Sequence, residues 1–523
     1  MDVIALLFTP LIYTNLIKYF LSIYQQQYYK TNRYIQCLIK NIDKKVLFSK
    51  SIIIVGYFIL SICFIYFFKV PIYLIFLYNV IALMLLSTQK DYIVPLKYTS
   101  RIKRSFISIY LVMYIFLFIG YFSISRNNLF FLFYTSILLC FIPFIVMGVM
   151  LLLLPIEQRI RYRYALKAKM TLLENKKIKT IGITGSYGKT STKNILHTIL
   201  SSTYNVLSTP KSYNTPMGIS NCINNEKVYL YDYFIAELGI DEVNGMDRLL
   251  SIVSPNYAII TSIGPMHLKT FKSINKILNE KMKLARKLNE DGIVILNNDN
   301  EYLRNYDRKD IKAKIITIGI DNSADIMASN IEYDEYGSSF DVTYSNKSFH
   351  VRLPLLAKHN ILNALSSIAL ALQLNVSEDN IISSLNSIKP IAHRLEISRK
   401  NNHIIIDDSY NSNIEGFTNA LEVLSKYKEK KILITPGMIE LGKYNKEYNS
   451  KIASKIVSSC NEVILIKNKS ATFIKDSIKE LDSTFSVIEV DCFFDANRYV
   501  SKIYGNENVV VLIENDLPDN YLN

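Results

Sequence analysis

A chain of 523 residues is too long for one hydrophobic core, so two to four domains are expected. Half of its residues are hydrophobic and its net charge is +15, which suits a nucleic-acid binder or a protein at an anionic membrane face. The six cysteines, Cys37, Cys63, Cys140, Cys222, Cys460 and Cys492, stand singly without a C-x-x-C pair, so neither a zinc site nor a disulfide framework is indicated and a reducing compartment fits.

In chain order, apolar runs occupy Ile4 to Tyr24, Ile52 to Phe68, Ile72 to Ser87, Phe106 to Ile124 and Leu129 to Leu154, each near bilayer-crossing length and studded with Tyr and Phe at the ends. Lys18 interrupts the first run, which suits an interfacial helix or an uncleaved signal anchor; no small-residue cleavage site follows it. Lys30, Arg33, Lys40, Lys44, Lys45 and Lys50 fill one connection, Lys90, Lys97, Arg101, Lys103 and Arg104 another. Arg159, Arg161, Arg163, Lys167 and Lys169 follow the last run, while the alternate connections hold little beyond Lys69 and Arg126. The positive-inside rule then predicts an outside N-terminus, five crossings and a cytoplasmic C-terminal body. Topology absorbs much of the positive charge, and no nucleic-acid partner is expected.

Residues 157–178 are charged and read as a helical linker. Beyond them, short apolar strands at Thr180 to Thr184, Tyr233 to Glu237, Tyr257 to Ser262, Gly292 to Leu296 and Ile315 to Ile320 alternate with helical patterns up to about residue 393. A second alternation follows at Ile404 to Asp407, Lys431 to Thr435, Glu462 to Ile466, Ser486 to Val490 and Asn508 to Ile513. The expected class is α/β: a membrane-helix domain over 1–156, the linker, a phosphate-loop domain with a mostly parallel sheet over 179–393, and a smaller Rossmann-like domain over 394–523.

The chemistry centres on Thr184, Gly185, Ser186, Tyr187, Gly188, Lys189, Thr190 and Ser191, between a strand and a helix. Glycines let backbone N–H groups close on phosphate, and the following helix N-terminus adds partial positive charge. Lys189 suits the outer phosphates and the Thr190 hydroxyl a Mg²⁺ ion. Ile183 stands where the longer phosphate loop has its first glycine, so only the short form T-G-x-x-G-K-T-S is present. Glu237 ends a strand, where an acid can hold Mg²⁺. His267 follows another strand in T-S-I-G-P-M-H, and Lys281 lies on a helix returning toward the same end. Taken singly, each of these three is equally an ordinary solvated residue.

The order T-G-S-Y-G-K-T-S-T-K, S-Y-N-T-P-M-G (212–218), E-L-G, I-G-P-M-H-L, N-E-K, L-N-N-D-N (296–300), K-H-N-I-L-N-A-L (358–365), H-R-L-E (393–396), D-D-S-Y-N-S-N (407–413) and M-I-E-L-G (438–442) resembles the Mur ligase family over residues 178–523. Within that family it is most similar to the branch that adds D-alanyl-D-alanine to a UDP-muramoyl tripeptide. The resemblance implies that Gly185 to Ser191 bind ATP, that Thr190 and Glu237 hold one Mg²⁺ and His267 a second, and that Lys281 is the lysine carbamylated by CO₂. It implies adenine-side and interdomain places for Asn297, Asn360 and Asn363. Arg394 and Asp408 would close over ATP, and Tyr410, Asn411 and Asn413 would face the amine or the nucleotide. The implied reaction is amide formation through an acyl phosphate, with Lys189, Lys281 and His267 as its catalytic residues.

Family members carry a soluble domain for the UDP end, where this chain has apolar runs. The expected acceptor is therefore a cell-wall peptide or a lipid-linked precursor at a bacterial cytoplasmic membrane. The partners are ATP, an amino acid or dipeptide, and the bilayer. A ligase for another surface polymer such as poly-glutamate, or a nucleotide-binding membrane scaffold, are the alternatives.

Overall fold

The computed structural model describes residues 13–27, 29–42, 96–123, 128–211, 213–334, 337–389, 393–400, 402–409, 414–439, 441 and 444–515. The runs Ile52 to Phe68 and Ile72 to Ser87 lie outside them, as do Tyr410, Asn411 and Asn413. The described residues divide into two units, one up to Arg161 and one from Tyr162 onward.

In the first unit four helices are described: α1 (Thr14–Gln26), α2 (Thr31–Ile42), α3 (Ser100–Ser123) and α4 (Asn128–Glu174), the last continuing into the second unit. Ile17, Phe20, Leu21 and Tyr24 of α1 pack with Tyr34 and Leu38 of α2, Ile109, Met113 and Leu117 of α3, and Ile142, Val146 and Val149 of α4. Two stretches among the described residues, Ser100–Gly120 and Phe141–Glu174, are long and apolar enough to cross a membrane. Two findings differ from the sequence reading. The basic connection after the first run contains the helix α2, and the last apolar run and the charged linker form one helix without a break despite Pro143 and Pro155. The linker residues have high helix propensity, so a helix begun in the apolar run propagates through them.

The second unit contains two sheets. The first has strand order β2-β3-β1-β4-β5-β6-β7-β8-β9, with β1 (Lys179–Thr184), β2 (Val206–Ser208), β3 (Tyr233–Glu237), β4 (Tyr257–Ile260), β5 (Ile293–Asn297), β6 (Lys314–Gly319), β7 (Ile326–Asp334), β8 (Gly337–Tyr344) and β9 (Lys347–Leu353). Pairing is parallel through β7 and antiparallel across β7-β8-β9. Successive residues of β3, β4 and β5 feed opposite layers: Phe234, Ala236, Ala258, Ile260, Val294 and Leu296 on one face, Ile235, Ile259 and Ile295 on the other. Burial on both faces explains why these strands read as continuous apolar runs. The face of Ile235 is covered by α5 (Lys189–Leu200) and α6 (Lys358–Gln373), through Ile195, Ile199, Ile361, Leu365 and Ile368.

The second sheet has order β10-β11-β15-β12-β13-β14, from β10 (Glu396–Lys400), β11 (His403–Asp408), β12 (Lys430–Thr435), β13 (Glu462–Ile466), β14 (Ser486–Val490) and β15 (Val509–Glu514). It is parallel except for the β10-β11 hairpin. Leu433, Leu465 and Leu512 face one layer and Ile434, Ile464 and Val511 the other. The late strand β15 inserts between β11 and β12, so the carboxyl ends of β11 and β15 lie side by side with Asp408 opposite Glu514.

Candidate active site

In open parallel sheets the carboxyl ends of the strands carry ligands, and the residues in question stand at the ends of β1, β3, β4 and β5. The turn after β1 is cramped on two sides. A Cβ at Gly185 would meet Thr261 Oγ1 at 1.9 Å, and one at Gly188 would meet Asn363 Oδ1 at 2.3 Å. Gly188 is also left-handed, at φ +79°, which disfavours a side chain independently.

Thr184 Oγ1 donates to the Leu238 carbonyl at 2.9 Å. Ser186 Oγ donates to the Gly264 carbonyl at 3.1 Å and accepts from its N–H at 3.0 Å, which joins the turn to the β4 end. The Ser186 N–H donates to the Ser262 carbonyl at 2.7 Å, and the Tyr187 N–H to Ser262 Oγ at 3.3 Å. Those two amides are thus occupied, and the donors that helix geometry leaves for phosphate are those of Lys189, Thr190 and Ser191 in the first turn of α5. The Tyr187 hydroxyl is buried and makes no hydrogen bond.

Lys189 Nζ donates to the carbonyls of Gly185 at 2.8 Å and Ser186 at 3.1 Å. Lys281, on the helix Ile274–Arg286, is buried and donates to the same Gly185 carbonyl at 2.8 Å. Burial lowers the pKa of Lys189 to about 8, with Glu237 opposing and Arg394 reinforcing the shift. Burial together with the Lys189 charge holds Lys281 well below the ordinary lysine value.

Glu237 is 1% exposed. Its Oε1 accepts from Thr190 Oγ1 and from Asn214 Nδ2, each at 3.1 Å. Its Oε2 makes no hydrogen bond and lies 3.4 Å from Lys193 Nζ. The buried carboxylate joined through Oε1 to the Thr190 hydroxyl offers the oxygen donors that Mg²⁺ prefers, while Oε2 faces the Lys193 ammonium. His267 follows β4 in the left-handed conformation at φ 51° and precedes the short helix Leu268–Phe271. Among the described residues one cluster joins three His and carboxylate ligands, His393, Glu396 and Asp407, and it lies in the second sheet's domain.

The asparagines divide. Asn297 donates to the Thr261 carbonyl and accepts from the Asp299 N–H, both at 3.0 Å, so its amide braces the β5 turn. Asn360 donates to the Leu356 carbonyl at 2.8 Å within the start of α6. Asn363 accepts from Thr192 Oγ1 at 3.2 Å, presses on Gly188, and keeps a buried Nδ2 without a partner. Arg394 lies between two left-handed residues, His393 and Leu395, and its charge reaches Lys189, His359 and Asp408. Asp408 Oδ1 accepts from the Leu395 N–H at 3.2 Å. Burial pushes its pKa up to about 6 against the pull of Arg394.

The sequence reading did not single out Lys193, Thr209 and Asn214, which surround Glu237. Lys193 lies one helical turn past Lys189, and Asn214 lies within S-Y-N-T-P-M-G; their convergence depends on the fold.

The profile of the Mur ligase middle domain matches residues 183–371, and that of the Mur ligase glutamate ligase domain residues 393–513. A UDP-N-acetylmuramoyl-tripeptide--D-alanyl-D-alanine ligase of Buchnera aphidicola is 34% identical over 289 residues, which cover 55% of this chain and 62% of the relative. A ligase of the same name from Borreliella burgdorferi is 30% identical over 335 residues, covering 62% of this chain and 70% of the relative. A crystal structure of MurF from Acinetobacter baumannii matches the fold with a TM-score of 0.63 at 24% identity, over 68% of this chain and 77% of that one. The chain spans about six tenths of the length of the first curated relatives it matches.

Proposed function

This chain belongs to the Mur ligase family, and on that premise we propose that it is an ATP-dependent amide ligase adding D-alanyl-D-alanine, or a comparable amino acid or dipeptide, to a cell-wall peptide precursor. The observation that carries the reading is the convergence of Lys189, Thr190 and Glu237 on the turn Gly185–Gly188. In this reaction an acceptor carboxylate oxygen attacks the γ-phosphorus of ATP and the bond to the β-phosphate oxygen breaks, which leaves ADP and an acyl phosphate. The amine nitrogen then attacks the acyl carbon, phosphate departs and the amine loses a proton.

The first turn of α5 and the Lys189 ammonium hold the terminal phosphates, and their positive charge offsets what accumulates there in the transition state. Mg²⁺ bound by Thr190 and Glu237 would supply further charge neutralisation. Burial and the neighbouring Lys189 charge shift the Lys281 amine toward its neutral form. Its nitrogen would add to CO₂ with loss of a proton, giving a carbamate that, with His267, would suit a second Mg²⁺. Arg394 and Asp408 supply the side contributed by the C-terminal domain, whose closure would keep water from the acyl phosphate. Asn297 and Asn360 act here as braces of the nucleotide side.

The stretches Ser100–Gly120 and Phe141–Glu174 support a second element, that the enzyme sits in a bacterial cytoplasmic membrane, and a lipid-linked acceptor would suit that location. The test is ATP turnover by the detergent-solubilised full chain, given D-alanyl-D-alanine with either UDP-linked or lipid-linked muramoyl peptide, beside Lys189→Ala. Turnover that needs both acceptor and amine and is lost in the variant supports the ligase. Efficient use of the UDP-linked acceptor alone removes the lipid-linked element. Turnover with neither acceptor overturns the muramoyl reading in favour of another polymer or a nucleotide-binding scaffold.

A further inference from the structure

Lys193 buries a charge that the phosphate chemistry does not call for. It lies on α5 one turn past Lys189 and is 1% exposed. Its Nζ donates to the Thr209 carbonyl at 2.8 Å and to the Lys211 carbonyl, and stands 3.4 Å from Glu237 Oε2. A lysine kept to balance Glu237 would form a charge-assisted bond of about 2.7–2.9 Å to the carboxylate and leave the carbonyls at longer range. The distances run the other way, so the ammonium is held by main-chain carbonyls.

Those carbonyls precede Asn214, which is fixed at both ends. Its Nδ2 donates to Glu237 Oε1 at 3.1 Å and its carbonyl accepts from the Gly239 N–H at 3.0 Å. A Cβ at Gly239 would lie 2.5 Å from Asn214 Cγ, so the approach leaves no slack. Lys211 is left-handed at φ 48°, a conformation that a residue with a long side chain keeps when its surroundings impose it.

We propose that Lys193 is a positioning residue: by clamping the carbonyls of Thr209 and Lys211 it seats Asn214 on Glu237 Oε1, while its ammonium faces Oε2 only at ion-pair range. The role rests on the ligase reading only for its effect on turnover. The seating of Asn214 is a property of the fold and is measured apart from activity.

The experiment compares the full-length protein with Lys193→Met, Asn214→Ala and the double variant by hydrogen exchange and by turnover. In Lys193→Met, amides in the peptides spanning 206–211 and 213–218 exchange at least about tenfold faster while those of β1 and β4 keep their protection. Turnover at saturating magnesium and substrates falls about tenfold in each single variant and less than twofold further in the double one, because both act through the same contact. Unchanged exchange in those peptides, equally faster exchange across β1 and β4, or losses that multiply in the double variant would each overturn the proposal. If Lys193→Met does not fold, Lys193→Gln, which keeps a donor for one carbonyl, enters the same comparison. If the wild-type protein shows no ligase turnover, the ligase reading fails and the exchange result still decides the role of Lys193.

Discussion

Gly188 shows how much of the site depends on one backbone conformation. A side chain there has to accept φ +79° and displace Asn363 Oδ1, which would lie 2.3 Å from its Cβ. Gly188→Ala is therefore expected to cost about 2 kcal/mol or more of stability, from left-handed strain of ~1–2 kcal/mol plus the clash. It should also weaken binding of an ATP analogue at least about tenfold; calorimetric binding with a thermal melt checks both, and unchanged affinity would refute the account of the turn. His359 supplies a pH dependence. Burial, with the Arg394 charge adding to it, lowers its pKa to about 4, and its Nδ1 accepts from Asn419 Nδ2 at 3.1 Å. A histidine depressed in the folded state contributes stability that is complete above its ordinary pKa near 6.5 and is lost as pH falls from there toward 4. The melting temperature followed by circular dichroism should drop over that range in the wild type and drop less in His359→Gln. Equal slopes for the two proteins would rule this out.

Among the elements, α6 connects the phosphate turn to the sheet. Asn363 accepts from the Thr192 hydroxyl, and Ser367 Oγ, one turn on, donates to the Thr192 carbonyl at 3.2 Å, so this face of α6 is matched to α5 by polar contacts within an apolar layer. Asn363→Leu keeps the volume but leaves a buried hydroxyl without its acceptor, with an expected cost of about 1–3 kcal/mol in chemical denaturation. A neutral result would mean that Thr192 finds another partner. The extension β7-β8-β9 shows where strand patterns mislead. The long parallel strands declared themselves by β-branched runs buried on both faces, whereas Asn330, Glu332 and Asp334 of β7 are exposed and polar, so the antiparallel part was absent from the sequence reading. The strand β2 was missed because three residues give no period to detect.

For the whole molecule, the apolar helices and the α/β unit make different demands on solvent. Among the exposed large hydrophobic residues, Ile107, Phe118, Phe122 and Leu152 all lie on α3 or α4. Faces of that kind suit hydrocarbon. Expressed full-length protein is expected to stay with the membrane fraction after alkaline carbonate extraction; recovery in the soluble fraction would remove the bilayer from the proposed function. Since the chain spans about six tenths of its first curated relatives, the acceptor assay remains the measurement that bears on substrate.

By itself the sequence determined the α/β class, the strands β1, β3 to β6 and β11 to β15 to within one or two residues, and the turn Gly185–Gly188. These are local properties: short apolar β-branched runs and a glycine-bearing strand-to-helix junction each leave their mark within a dozen residues. Tertiary structure decided what lies against what. Lys189 and Lys281, 92 positions apart, share one carbonyl; Asn214 and Lys193 meet at Glu237; and Asp408 stands opposite Glu514 because β15 inserts beside β11. Such contacts between distant residues follow from strand order, and the strand order is set by which apolar faces bury one another across the whole domain, a property that no short stretch of sequence contains.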